Sequence, residues 1–308
     1  MSAFDSIEAV VAGLGTTGYI ADRDVAMAVY LAACLDKPIL AEGPAGVGKT
    51  ELAKAIAAAT GSELVRLQCY EGLDEARTLY EWKYPKQLLY TQMLREKIGD
   101  VVADAPTLSA AVDRIAEHED AFFSERFLQP RPLLRAIRSE HPAVLLIDEV
   151  DRAEEELEAF FLEVLAEYQV TVPELGTVRA HHKPIAVLTS NSTRELSDAL
   201  RRRCLYLPMT YPEPDREAEI LAARVPDIAA ELAAQIAAFM SRLRDLELKK
   251  TPSISETIDW ARALVILAAD ELSEEVVSST LNLLLKYRGD IESAHREVPA
   301  LLRPRTSS

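Results

Sequence analysis

Val25, Ala28, Val29, Ala32 and Leu35 recur at the spacing of one helical face, so the pattern predicts an amphipathic helix over residues 22–35. Lys37-Pro38 ends it, and Ile39-Leu40-Ala41-Glu42 reads as a short buried strand feeding a glycine-rich turn. From Lys49 an alanine-rich helix runs to Thr60 and stops at Gly61, with a second strand over 64–68. Strand, helix and strand in this order open a parallel sheet. Two further apolar runs, AVLLI at 143–147 and IAVLT at 185–189, have no polar alternation, as expected of strands covered on both faces. Between them the pattern gives a helix over 154–168. A hairpin over 170–179 follows, turning at Glu174-Leu175-Gly176.

Residues 90–125 are charged and helical in pattern, with a break at Asp104-Ala105-Pro106, and read as an insertion between the second and third strands. Prolines 208, 212 and 214 punctuate the end of the α/β region. Beyond them helices are predicted over 216–224, 228–246, 255–269 and 274–288, with a last short one after. The fold class expected is α/β, a doubly wound parallel sheet of the P-loop type with a smaller C-terminal all-helical lid. The division expected is 1–214 for nucleotide binding, 215–303 for the lid and 304–308 as a tail.

Composition narrows the function. With 308 residues, 49% of them hydrophobic, the chain has material for two modest cores. A formal net charge of −16 opposes a nucleic-acid partner, since such affinity comes largely from Lys and Arg on phosphates. Cys34, Cys69 and Cys204 are odd in number and far apart, and read as reduced core thiols. No apolar run is long enough to span a bilayer and the first residues lack a basic, cleavable leader, so a cytoplasmic location is expected.

Gly43-Pro44-Ala45-Gly46-Val47-Gly48-Lys49-Thr50 fits G-x-x-x-x-G-K-[ST] in full. Its glycines let consecutive backbone N–H groups face one anion, and the following helix adds its N-terminal dipole. Lys49 is suited to the β and γ phosphates of ATP, and Thr50 to a hydroxyl contact with Mg²⁺. Glu51, next along the helix, joins the nucleotide-contacting set. The strand at 143–147 ends in Asp148-Glu149, at the sheet edge where open α/β folds bind ligands. Asp148 would hold the metal's water shell, and Glu149 would orient and polarise the attacking water. A kinase would need an acceptor site in place of that second carboxylate.

These motifs, with LTSN at 188–191 and LSDALRRRC at 196–204, resemble the AAA+ superfamily, and GPAGVGKT with LLIDEVDRA resembles its MoxR family most. ETIDWARAL at 256–264 resembles the CoxD-like branch, linked to a von Willebrand A partner and to maturation of molybdenum-containing carbon monoxide dehydrogenase. The resemblance implies a homo-oligomeric ring, hexameric in the family, that hydrolyses ATP to remodel or activate a protein client. It implies that Asn191 is a polar sensor for the water. One of Arg201, Arg202 and Arg203 would be a finger reaching the neighbouring subunit's γ-phosphate, with Arg203 on the matching position. Tyr19 and Ile20 match the adenine-contacting segment, and core packing explains them as well.

One departure is plain. The family's second-sensor arginine is missing from Ser253-Ile254-Ser255-Glu256-Thr257, which puts nucleotide-driven lid closure in question. Tyr80, Trp82, Tyr84 and Tyr90 form an aromatic cluster that suits either a partner or packing against the insertion. His181 and His182 are adjacent and read as a solvated loop. A DNA-directed motor and a scaffold with little turnover are the alternative functions.

Overall fold

The computed structural model describes residues 4–116, 125–172 and 176–303. The chain opens with α1 (Ile7–Thr16), α2 (Arg23–Leu35), β1 (Ile39–Glu42), α3 (Lys49–Thr60) and β2 (Glu63–Gln68). An insertion follows: α4 (Glu75–Leu79), β3 (Tyr80–Trp82), α5 (Tyr84–Met93), α6 (Arg95–Val102), α7 (Leu108–Ala116) and β4 (Leu128–Pro130). Then come α8 (Pro132–Ile137), β5 (Ala143–Asp148), α9 (Glu155–Glu167), β6 (Gln169–Val172), β7 (Gly176–Arg179) and β8 (Ile185–Ser190). After α10 (Asp198–Arg203) and β9 (Leu205–Pro208) the chain is helical: α11 (Pro214–Arg224), α12 (Ala230–Arg244), α13 (Ile254–Ile266), α14 (Glu274–Leu284) and α15 (Arg288–Leu301).

The main sheet has the order β2-β5-β8-β1-β9 with parallel pairing throughout. Side chains alternate along each strand, and both faces are apolar. Leu40, Leu145, Ile147 and Leu188 join a core with Leu133 and Phe161 of α8 and α9. Ile39, Ala41, Val144, Leu146 and Val187 face Val29 of α2 and Leu52 and Ile56 of α3. This two-sided burial is why β1 and β5 carry no polar alternation. The chain order reverses between β1 and β8, which sets a crevice at the carboxyl ends of those strands.

Helices α11–α15 build a separate core around Phe239, Trp260, Leu281 and Val298. Trp260, fully buried, satisfies its indole N–H on Thr280 Oγ1 at 2.9 Å. Arg244 and Glu217, both buried, form a two-bonded pair at 2.6 and 2.7 Å. The helix expected over 274–288 stops at Leu284, because Leu285 turns extended to bury its side chain in this core. Arg288 therefore begins α15, which is 14 residues long and no short terminal piece.

Helix begins in this region with α4 at Glu75, earlier than the pattern indicated, and the antiparallel ribbon β3–β4 brackets α5 to α7. The expected break at 104–106 falls between α6 and α7, while 117–124 lie outside the described residues. Strands β6 and β7 pair antiparallel as the hairpin required, with its turn residues Glu174 and Leu175 outside the described residues, as are 304–308. The reading of the cysteines holds for Cys69 and Cys204, whose thiols burial pushes up to about 12. It fails for Cys34, which α2 leaves exposed. The aromatic cluster splits: Tyr80 and Trp82 meet edge to face at 5.9 Å against the core, whereas Tyr84 stands exposed.

Candidate functional site

The loop after β1 is shaped by what glycine permits. At Gly43 a side-chain carbon would lie 1.8 Å from the Met209 carbonyl oxygen. Gly46 has φ +77, and a carbon there would meet Ser253 Cβ at 2.1 Å, so both close approach and a left-handed backbone require the residue. Lys49, the first residue of α3, is buried, and its Nζ donates to the carbonyls of Gly43 and Pro44 at 2.6 and 2.7 Å. Burial holds its ammonium below the ordinary lysine range, against the opposing pull of Asp151, Asp148, Glu149 and Glu42.

Asp148 ends β5 and is buried. Its Oδ1 accepts from Thr50 Oγ1 at 3.0 Å and Thr189 Oγ1 at 2.6 Å, and its Oδ2 accepts from Arg66 Nε and Nη2 at 3.0 and 2.6 Å. Thr50 and Asp148 thus present oxygen donors side by side, a set that fits a hard cation such as Mg²⁺. Glu149 has φ 56 and ψ 51, a left-handed backbone that costs a non-glycine residue about 1–3 kcal/mol. Its N–H donates to Thr189 Oγ1 at 2.9 Å, and its Oε2 accepts from Gln68 Nε2 at 3.0 Å and Arg152 at 3.3 Å.

Asn191 follows β8 and lines the same cavity, of about 980 Å³, as Lys49, Thr50, Asp148 and Glu149. Its loop is fixed by Asp151, which sequence reasoning passed over. Asp151 Oδ2 accepts from the backbone of Asn191 and Thr193 at 3.2 and 3.0 Å, and from the Thr193 hydroxyl at 2.6 Å. Burial pushes the Asp151 carboxyl up, but the Thr193 hydroxyl and these N–H groups outweigh it and hold it below the usual carboxylate range. The only early sign was the acid three residues past Asp148.

The arginine triplet divides. Arg201 is clamped to Glu42 at the end of β1 through two bonds of 3.0 and 2.9 Å, and lies over the Tyr206 ring at 5.8 Å. That pair engages its guanidinium within its own chain. Arg202 and Arg203 are exposed, Arg203 donating to the Leu162 carbonyl at 2.9 Å, and neither lines the cavity of its own chain. Tyr19 and Ile20 line the cavity, and Tyr19 also packs against the core formed with α2 and α3. Burial raises the Tyr19 phenol well above its ordinary value.

Where the second-sensor arginine was sought, the lid meets the loop directly: Ile254 N–H donates to the Gly46 carbonyl at 3.1 Å. Tyr211 Oη donates to the Ala45 carbonyl at 3.2 Å. The lid cations at the cavity are Arg216 and Arg224 on α11, and Arg224 reaches Glu51 at 3.1 Å. His181 and His182 are exposed between β7 and β8. No helix among the described residues is long and apolar enough to cross a membrane.

A family model described as ATPase family associated with various cellular activities (AAA) matches residues 39–207. None of the curated proteins matches the chain. Among solved structures, a RuvB variant from Thermotoga maritima is similar at 16% identity, covering 91% of this chain and 73% of its own, with a TM-score of 0.50. The Thermotoga maritima RuvB described as a Holliday junction branch migration motor aligns at 15% identity over 92% of this chain and 72% of its own, TM-score 0.48. At such identity the first likeness concerns the fold alone.

Proposed function

This chain belongs to the AAA family of ATPases, and from that premise we propose that its hydrolysis of ATP drives the remodelling or activation of a protein client, in the manner of the MoxR family. It is an ATP-hydrolysing enzyme that uses Mg²⁺. The observation that carries the client reading is the insertion after β2. Tyr84 and Met93 of α5 are 66% and 74% exposed, with Leu88 and Leu89 open beside them. On a chain of net charge −16, such a surface suits a protein and not a phosphate backbone.

In this reading Lys49 and the loop N–H groups bind the phosphates, and Thr50 and Asp148 hold the metal. A metal held there would supply positive charge against the charge developing on the phosphates. Glu149 orients the water and Asn191 fixes its position, while Arg203, with Arg202 the second choice, acts on the neighbouring subunit in a hexameric homo-oligomeric ring. Tyr19 and Ile20 contact the base, and Glu51 joins the nucleotide-contacting set. Residues 1–214 form the nucleotide-binding unit and 215–303 the lid. A cytoplasmic setting, a von Willebrand A partner and the CoxD-like branch belong to the same proposal; the branch rests on 256–264, within α13.

The test is steady-state phosphate release by the chain alone, with duplex DNA, and with the protein products of adjoining reading frames. Stimulation by one of those proteins supports the reading. Stimulation by DNA and by none of the proteins overturns it in favour of a DNA motor.

A further inference from the structure

β2 is an edge strand of the main sheet, and Arg66 and Gln68, two residues apart, project from the same face of it. Arg66 does three things at once. Its Nε and Nη2 grip Asp148 Oδ2 at 3.0 and 2.6 Å, and the same Nη2 donates to Gln68 Oε1 at 2.5 Å. With its oxygen engaged by a guanidinium, the Gln68 amide has only its NH₂ to offer onward, and that group donates to Glu149 Oε2 at 3.0 Å. One guanidinium therefore holds the first acid of the site directly and the second through a single amide.

We propose that Arg66 is a positioning residue for ATP hydrolysis, fixing Asp148 and Glu149 relative to each other, with Gln68 as its link to Glu149. The inference rests on the roles given above to those two acids. A merely stabilising salt bridge is the rival account. Arg66 is half exposed, and an ion pair with one partner in water contributes little to stability, so a fixed geometry is the larger consequence. Arg66 engages only Oδ2, while Asp148 Oδ1 accepts from the Thr50 and Thr189 hydroxyls on the side where Thr50 would share the metal. The planar fork matters, because a lysine offers one point of charge and cannot span Asp148 and Gln68 with the same geometry.

The two arms of the relay separate experimentally. Nucleotide binding is read without turnover, from the fluorescence of an N-methylanthraniloyl ATP analogue titrated at stepped Mg²⁺ concentrations. Turnover is read from phosphate release. Arg66→Ala should shift the Mg²⁺ half-saturation of binding and lower kcat, each by about 10-fold or more, the range of metal-ligand supporting groups. Gln68→Ala should lower kcat to a similar degree and leave the Mg²⁺ titration at its wild-type position. Arg66→Lys should keep most of the Mg²⁺ behaviour and lose kcat. The double variant Arg66→Ala with Gln68→Ala should be no slower than Arg66→Ala, since both break one relay.

Glu149→Gln is run alongside. If it turns over at the wild-type rate, the assignment of Glu149 fails and the proposed mechanism with it. If Glu149→Gln is inactive while Arg66→Ala keeps wild-type kcat and Mg²⁺ titration, the Arg66 inference alone is overturned. Losses in the two single variants that multiply in the double variant overturn it also.

Discussion

Lys49 carries a charge in a place where burial disfavours it. A polyphosphate in contact raises its pKa again, so nucleotide binding takes up a proton in the alkaline window between the lowered free-site value and the raised bound one. Affinity for ATP should accordingly fall as pH climbs through the free-site pKa. Calorimetric titration in two alkaline buffers of different ionisation enthalpy reads the uptake directly, and its absence would detach Lys49 from the phosphates. At the catalytic acid, Glu149→Gln should keep ATP binding within a few-fold of wild type and lower kcat by about 100-fold or more, since the amide keeps its place but cannot polarise water. Phosphate release and nucleotide binding on the same preparation check the split. Loop and acid pair were legible residue by residue because their chemistry is written in consecutive letters. Arg201, Asp151 and the Arg66–Gln68 pair were not: Glu42 lies 159 positions from Arg201, and Asp148 lies 82 from Arg66. Partnerships of that span exist only in the fold.

At the level of elements, the lid touches the phosphate loop by backbone, through Ile254 on Gly46, with Ser253 packed where a side chain at 46 would go. Gly46→Ala should therefore lower ATP affinity and displace α13, by overlap with Ser253 Cβ as well as by backbone strain at φ +77. Adding Ser253→Gly should recover part of the binding loss, and equal affinities in the single and double variants would show that contact to be immaterial. The elements that position the loop, α2, β1, α3 and β5, were legible almost to their ends, since each carries a full helical face or an unbroken apolar run. The 3-residue strands β3 and β4 and the 4-residue edge strand β9 are too short to establish a period. The reading carried α14 on to residue 288, and shortened α15, because Leu285 continues the apolar pattern while its backbone leaves the helix.

For the whole molecule, the proposed trans finger is compatible with Arg202 and Arg203 being exposed outside their own chain's cavity. Arg203→Ala and Glu149→Gln should each be inactive, yet mixed under conditions of subunit exchange they should regain phosphate release. In a head-to-tail ring about a quarter of the interfaces would then join an intact Glu149 to an intact arginine. Rings shown to assemble by light scattering, and to be mixed by co-purification of differently tagged variants, that stay inactive would exclude Arg203. The composition had indicated two cores and a net acidic chain, and the shared site entered only through the family resemblance. The left-handed backbone at Glu149 has a last consequence, for the protein's history and its engineering. Glycine adopts that conformation freely where other residues lose about 1–3 kcal/mol, so Glu149→Gly should raise the melting temperature while abolishing turnover. A library selected for heat resistance alone would drift toward that silent variant, and an active sequence is one that selection for work keeps from relaxing.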